Sequence, residues 1–131
     1  NVEPCKPDLI NTIIQLKNMG IITAIITTNS RYNVHMFLNE HNANIFDFIE
    51  SSSMFGKEAK MKKIIKKNKI ELEDVLYVGD EIRDIHAAKN TGIDIASVAW
   101  GYNTVESLKK QNPEYIIYEP SQLIDICKSK K

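Results

Sequence analysis

The chain has 131 residues, 43% of them hydrophobic and 26% charged, and its 17 Lys and Arg are balanced by 17 Asp and Glu. A domain of this size buries about two-thirds of its surface, and this composition excludes a disordered tail, a collagen and a disulfide scaffold. The neutral balance argues against a dedicated nucleic-acid-binding domain, and no apolar run approaches the ~20 residues that span a bilayer.

From Pro7-Asp8 onward, Leu9, Ile10, Ile13, Ile14 and Leu16 fall at helical spacing, and Gly20 stands where a helix C-terminal glycine belongs. Ile21 to Ile26 is a continuous apolar, β-branched run, the pattern of a strand buried on both faces of a parallel sheet. Thr27-Thr28-Asn29-Ser30 is a polar turn, with Ser30 as N-cap for a helix from Arg31 to about His41. Phe46 to Ile49 reads as a short strand, and Gly56 precedes a helix over Lys57 to Lys67. Val75 to Val78 is a second buried strand ending at Gly79-Asp80, followed by a helix that runs to Gly92. Ile93 to Val98 is a third strand, Thr104 to Gln111 a helix, Tyr115 to Ile117 a short strand and Ser121 to Cys127 a closing helix. No linker or internal repeat interrupts residues 1–131, so they read as a single domain. Alternating strands and helices predict an α/β fold with a doubly wound parallel sheet, whose ligands bind beyond the carboxyl ends of the strands. The residues after Ile26, Val78 and Val98 are therefore where chemistry is expected.

The segment after Val78 reads Gly79-Asp80-Glu81-Ile82-Arg83-Asp84. Gly79 lets the backbone turn and approach a ligand closely. Asp80 leaves the strand end, and Asp84 is one helical turn further on, so both carboxylates can face one point. Such oxygens suit Mg²⁺, which takes one or two protein carboxylates together with waters and a substrate phosphate. The competing assignment has Asp80 capping the helix and Asp84 paired with a base such as Lys89. At Thr27-Thr28-Asn29-Ser30, a hydroxyl beside the free amides of a helix start makes an anion site, and the same residues would serve equally as caps. Lys57, after Gly56 at a helix start, can meet a phosphate as a point charge or lie solvated on the surface. The later lysines, Lys62, Lys63, Lys66, Lys67 and Lys69, read as the wet face of an amphipathic helix. His35, His41 and His86 share no metal-ligand spacing. Cys5 and Cys127 stand at opposite ends and read as reduced thiols. Asn1-Val2-Glu3-Pro4 has neither the basic start nor the apolar run of a secretory signal, so a cytoplasmic location is expected.

In order, Thr28-Asn29 after a strand, Lys57 before a helix, and Gly79-Asp80 with Asp84 after the next strand resemble three motifs of the haloacid dehalogenase superfamily. Val78 to Ile85, Ala87-Ala88-Lys89, Gly92 and Val98 to Asn103 look most like its phosphoglycolate phosphatase-like branch. The likeness covers nearly the whole chain. It implies a Rossmann-like haloacid dehalogenase core and a Mg²⁺-dependent phosphatase acting on a small phosphorylated metabolite; the neutral charge and short apolar runs add the expectation of no nucleic-acid or membrane partner. By matching position, Thr28 would hydrogen-bond the transferring phosphoryl group with Asn29 beside it, Thr27 being the other choice. Lys57 would offset phosphate charge, with Lys60 as the alternative. Asp80 would bind Mg²⁺, and Asp84 would bind it directly or through water.

The resemblance also implies a nucleophile from an Asp-x-Asp motif, and no two of the aspartates at 8, 47, 74, 80, 84, 94 and 125 are one residue apart. The chain therefore reads as the C-terminal part of a phosphatase, beginning after the nucleophile strand and any helical cap, and inactive alone. The missing first strand would lie centrally, between the Thr28 and Asp80 strands, and unpaired edges there would favour self-association. A non-catalytic remnant that holds phosphate or Mg²⁺ is the rival function. A receiver-type signalling domain fits less well, because Asp8 does not follow a strand.

Overall fold

The computed structural model describes residues 7–27, 46–51, 56–101 and 103–129. These belong to two compact units, Asn1–Lys60 and Met61–Lys131. The helix expected over Arg31 to His41, with Thr28 and Asn29, lies outside the described residues.

In the first unit, helix α1 spans Pro7–Asn18. Proline suits the first helical position, where no amide partner is needed. The buried stripe carries Thr12 and Leu16, while Ile14, counted among the apolar positions, lies on the outer side. The helix ends as Gly20 was expected to end it. Gly20 has φ +87°, its amide donates to Lys17 O at 2.9 Å, and the Ile21 amide reaches Leu16 O at 3.2 Å. This is a Schellman closure, and its left-handed residue favours glycine.

Strand β1 is Ala24–Thr27 and pairs in parallel with β2, Phe48–Ser51, with Ile25 opposite Ile49. β1 starts later than its apolar run because the run's first residues have other partners. Ile21 closes α1, and the Thr23 amide donates to Asp47 Oδ2 at 2.8 Å. Ile49 is buried, and Ile10, Ile25 and Phe46 pack around it. Helix α2, Lys57–Lys67, buries Met61 and turns Lys62, Lys63, Lys66 and Lys67 to solvent.

In the second unit a 3-10 turn at Leu72–Asp74 leads into β3, Leu76–Gly79. Helix α3 (Ile82–Thr91), β4 (Asp94–Val98), α4 (Val105–Lys109), β5 (Tyr115–Ile117) and α5 (Gln122–Ser129) follow. The strand order is β3-β4-β5, all parallel, with Tyr77 opposite Ile95 and Gly79 opposite Ser97. Parallel neighbours need a crossover, and α3 and α4 supply it. Thr104 caps α4 by accepting the Ser107 amide at 3.2 Å.

β4 is the strand whose β-branched run is buried on both faces: Ile95, Ala96 and Ser97 expose no surface. Ile85, Ala88, Leu108, Ile117 and Leu123 complete the core of this unit. The same burial was expected of β1 and β3, but Val78 is 39% exposed and Ala24 is also exposed. Among the described residues, each of these strands has a ladder partner on one side only. The α/β class with parallel pairing therefore holds. The described strands fall in two sheets, in keeping with a sheet that is incomplete.

Candidate active site

The carboxyl end of β3 is built around a buried carboxylate. Gly79 closes the strand, Asp80 and Glu81 form the turn, and Asp84 lies in the first turn of α3. Asp84 is only 4% exposed. Its Oδ2 accepts the amides of Asp80 and Glu81, both at 3.1 Å, and its Oδ1 accepts the Tyr77 hydroxyl at 3.0 Å. Negative charge at this end of a helix is also favoured by the helix dipole. The competing assignment of Asp84 to Lys89 fails, because Lys89 donates to Asn112 O at 2.9 Å.

Gly79 is needed for proximity rather than for an unusual φ. A Cβ there would lie 2.5 Å from Asp84 Oδ2 and 2.6 Å from Asp84 Cβ. The close approach that Gly79 permits is thus to Asp84, not directly to a ligand. Gly101, in the loop after β4, does the same for Asp80: a side chain there would overlap the Asp80 Cβ. From that loop, Asn103 Oδ1 accepts the Ile82 amide at 3.1 Å, an otherwise unpaired donor at the start of α3. Two adjacent strand ends therefore supply one site, as parallel topology requires. Glu81 occupies the N-cap position that Asp80 might have taken, and its carboxylate pairs with Arg83 at 2.6 Å.

The Tyr77 hydroxyl is pushed above its ordinary pKa by burial first and by the neighbouring Asp84 charge second. It is therefore a hydrogen-bond donor throughout the neutral range. Tyr77, Gly101 and Asn103 were not singled out as site residues from the sequence. The available signal was period two: Tyr77 precedes Gly79 by two residues and shares its sheet face.

Among the described residues, the Asp80 carboxylate has no hydrogen-bond or ion-pair partner, and no three His, Cys, Asp or Glu side chains form a metal cluster. The donor set still fits a hard cation in part. Asp80 presents an available carboxylate at the strand end, and Mg²⁺ takes as few as one or two such ligands. Asp84 already accepts two N–H groups and one O–H, which suits a contact through water.

Of the other expected site residues, Lys57 opens α2 and is half-buried, while Lys60 pairs with Glu50 at 3.6 Å. Thr27 closes β1.

Residues 2–98 match the haloacid dehalogenase-like hydrolase family. A phosphoglycolate phosphatase of Synechococcus elongatus is 28% identical over 120 residues, covering 90% of this chain and 57% of the relative. A pyrophosphatase of Oceanobacillus iheyensis is 26% identical over 125 residues, covering 92% of this chain and 58% of the relative. Among solved structures, a haloacid dehalogenase-like family hydrolase from Streptococcus pneumoniae superposes with a TM-score of 0.80 at 22% identity, over 92% of this chain and 56% of that one. The chain thus spans a little over half the length of the relatives it matches. No helix among the described residues is long and apolar enough to cross a membrane.

Proposed function

The chain belongs to the haloacid dehalogenase-like hydrolases, and we propose that it is the C-terminal core part of a Mg²⁺-dependent phosphatase acting on a small phosphomonoester in the cytoplasm. The observation that carries this reading is the end of β3, where Asp80 offers an available carboxylate on a turn tied down by buried Asp84. The phosphoglycolate phosphatase and pyrophosphatase relatives support phosphate ester or anhydride hydrolysis as the reaction class.

In this reading Asp80 supplies an oxygen ligand, and Asp84 contributes through water while holding the turn. Bound Mg²⁺ would neutralise charge on the phosphoryl oxygens during transfer. Lys57 adds a second positive charge against the phosphate. Thr28 and Asn29, next after Thr27 in the sequence, would hydrogen-bond the phosphoryl group. An aspartate outside residues 1–131 would attack phosphorus, breaking the ester P–O bond so that the alcohol leaves with a proton, and water would then cleave the aspartyl-phosphate to the free carboxylate and inorganic phosphate.

The test is Asp80→Asn in the full-length protein, assayed for Mg²⁺-dependent hydrolysis of an aryl phosphate, with folding checked by circular dichroism. The expected result is loss of turnover in a folded protein. Retained turnover would overturn the assignment.

A further inference from the structure

Three side chains of the second unit meet on one face of its sheet. Tyr77 and Gly79 alternate on β3 and so face the same side. Gly79 shows which side this is, because the Asp84 carboxylate occupies the space a Gly79 side chain would need. Ser97 stands opposite Gly79 in the ladder, so it belongs to this face as well. Its hydroxyl is fully buried and has no hydrogen-bond partner among the described residues. Two hydroxyls therefore share this face with the Asp84 carboxylate, and a buried hydroxyl is costly unless paired. Tyr77 is paired, and its partner is Asp84 at 3.0 Å.

Asp84 is the residue through which that bond acts. Its other oxygen holds both amides of the turn that carries Asp80. Gly101 presses against the Asp80 Cβ from the opposite loop. With the amide held on one side and the side chain confined on the other, the direction of the Asp80 carboxylate depends on how Asp84 sits. The two amides fix the place of one oxygen, and the Tyr77 donor on the other adds a restraint on the plane of the carboxylate.

We propose that Tyr77 is a positioning residue of this site: its hydroxyl locks the Asp84 carboxylate, and through the Asp80–Glu81 turn it sets the direction of the Asp80 carboxylate toward the cation. This rests on the phosphatase reading for the identity of the cation, whereas the brace itself does not.

The experiment is Tyr77→Phe in the full-length protein, a change that keeps the ring and removes one oxygen. Amide hydrogen exchange is read at Asp80 and Glu81, with Ile95 as the internal control. The Ile95 amide is held by Glu114 at 2.9 Å elsewhere in the same unit, so it reports general loosening. Exchange is expected to quicken at Asp80 and Glu81 and not at Ile95. The Mg²⁺ concentration for half-maximal hydrolysis of an aryl phosphate is expected to rise about tenfold, the scale on which outer-shell partners of a metal act, with KM at saturating Mg²⁺ little changed. Exchange that is unchanged, or that rises equally at Ile95, overturns the brace. An unchanged Mg²⁺ requirement, in a protein where Asp80→Asn is inactive, overturns the link to the cation. If Asp80→Asn stays active, the phosphatase reading falls, and the exchange data still decide whether Tyr77 holds the turn.

Discussion

Asp47 makes one carboxylate serve two elements. Its Oδ1 accepts Lys17 from the end of α1 at 2.6 Å, and its Oδ2 accepts the Thr23 amide at the mouth of β1 at 2.8 Å. Its own amide returns a bond to Thr23 O at 2.8 Å, so the start of the β1–β2 register is held from both sides. The hydrogen bond from Lys17 is the largest cause of its lowered pKa, followed by the bond from the Thr23 amide. Because Lys17 is substantially exposed, solvent screens the ion pair, and its own contribution is small. The greater loss on removal is an amide at nearly buried Thr23 left without its acceptor, so Asp47→Ala is expected to cost about 1–2 kcal/mol at neutral pH. A depressed folded pKa means stability that is present above the ordinary carboxylate value of 3.8 and fades as pH falls through the lower folded value. Urea titrations of both proteins across that range check this: the gap should close in acid, and a gap that stays constant would exclude the charged carboxylate as its source.

At the scale of elements, the helix ends share one solution with different residues. α1 and α3 are followed by Gly20 and Gly92, both at φ +87°, and glycine accepts that conformation without cost from a Cβ. α2 closes in the same way, with Lys69 amide to Lys66 O at 3.2 Å and Ile70 amide to Ile65 O at 3.1 Å, but its left-handed residue is Lys69 at φ +55°. A lysine there carries a steric penalty of about 1–2 kcal/mol. Part of the gain from glycine is lost to the greater freedom of the unfolded chain. Lys69→Gly is accordingly expected to stabilise the protein by about 0.5–1 kcal/mol, read as a higher denaturant midpoint with an unchanged slope. A lower midpoint would mean that the exposed Lys69 side chain makes a contribution that the backbone does not reveal. The two glycine closures were legible in the sequence because glycine marks its own conformational need. The lysine closure was not, since nothing in lysine's chemistry calls for a positive φ.

For the molecule as a whole, length governs what activity to expect. The chain covers 57% of the phosphoglycolate phosphatase of Synechococcus elongatus, and no two of its aspartates are one residue apart. Among the described residues the strands form a pair and a triplet. On the proposed phosphatase reading, residues 1–131 alone are expected to leave an aryl phosphate intact in the presence of Mg²⁺, and a chain extended to supply the aspartate is expected to cleave it. Turnover by the short chain would require a nucleophile among its own residues and would displace the mechanism proposed above.

Local chemistry was enough for much of this protein. β-branched runs, helical spacing and punctuating glycines marked every described helix and strand to within a few residues, because backbone preference and the period of burial act over one or two turns of chain. Gly79-Asp80 and Asp84 were legible for the same reason, lying within six residues of one another. The partners of those carboxylates were not legible. That Gly101 confines Asp80, that Asn103 meets the start of α3, and that Ser97 shares a face with Tyr77 all follow from β4 lying beside β3. Register is a property of two strands together. It is set by how their buried faces pack, and no single stretch of sequence carries that information.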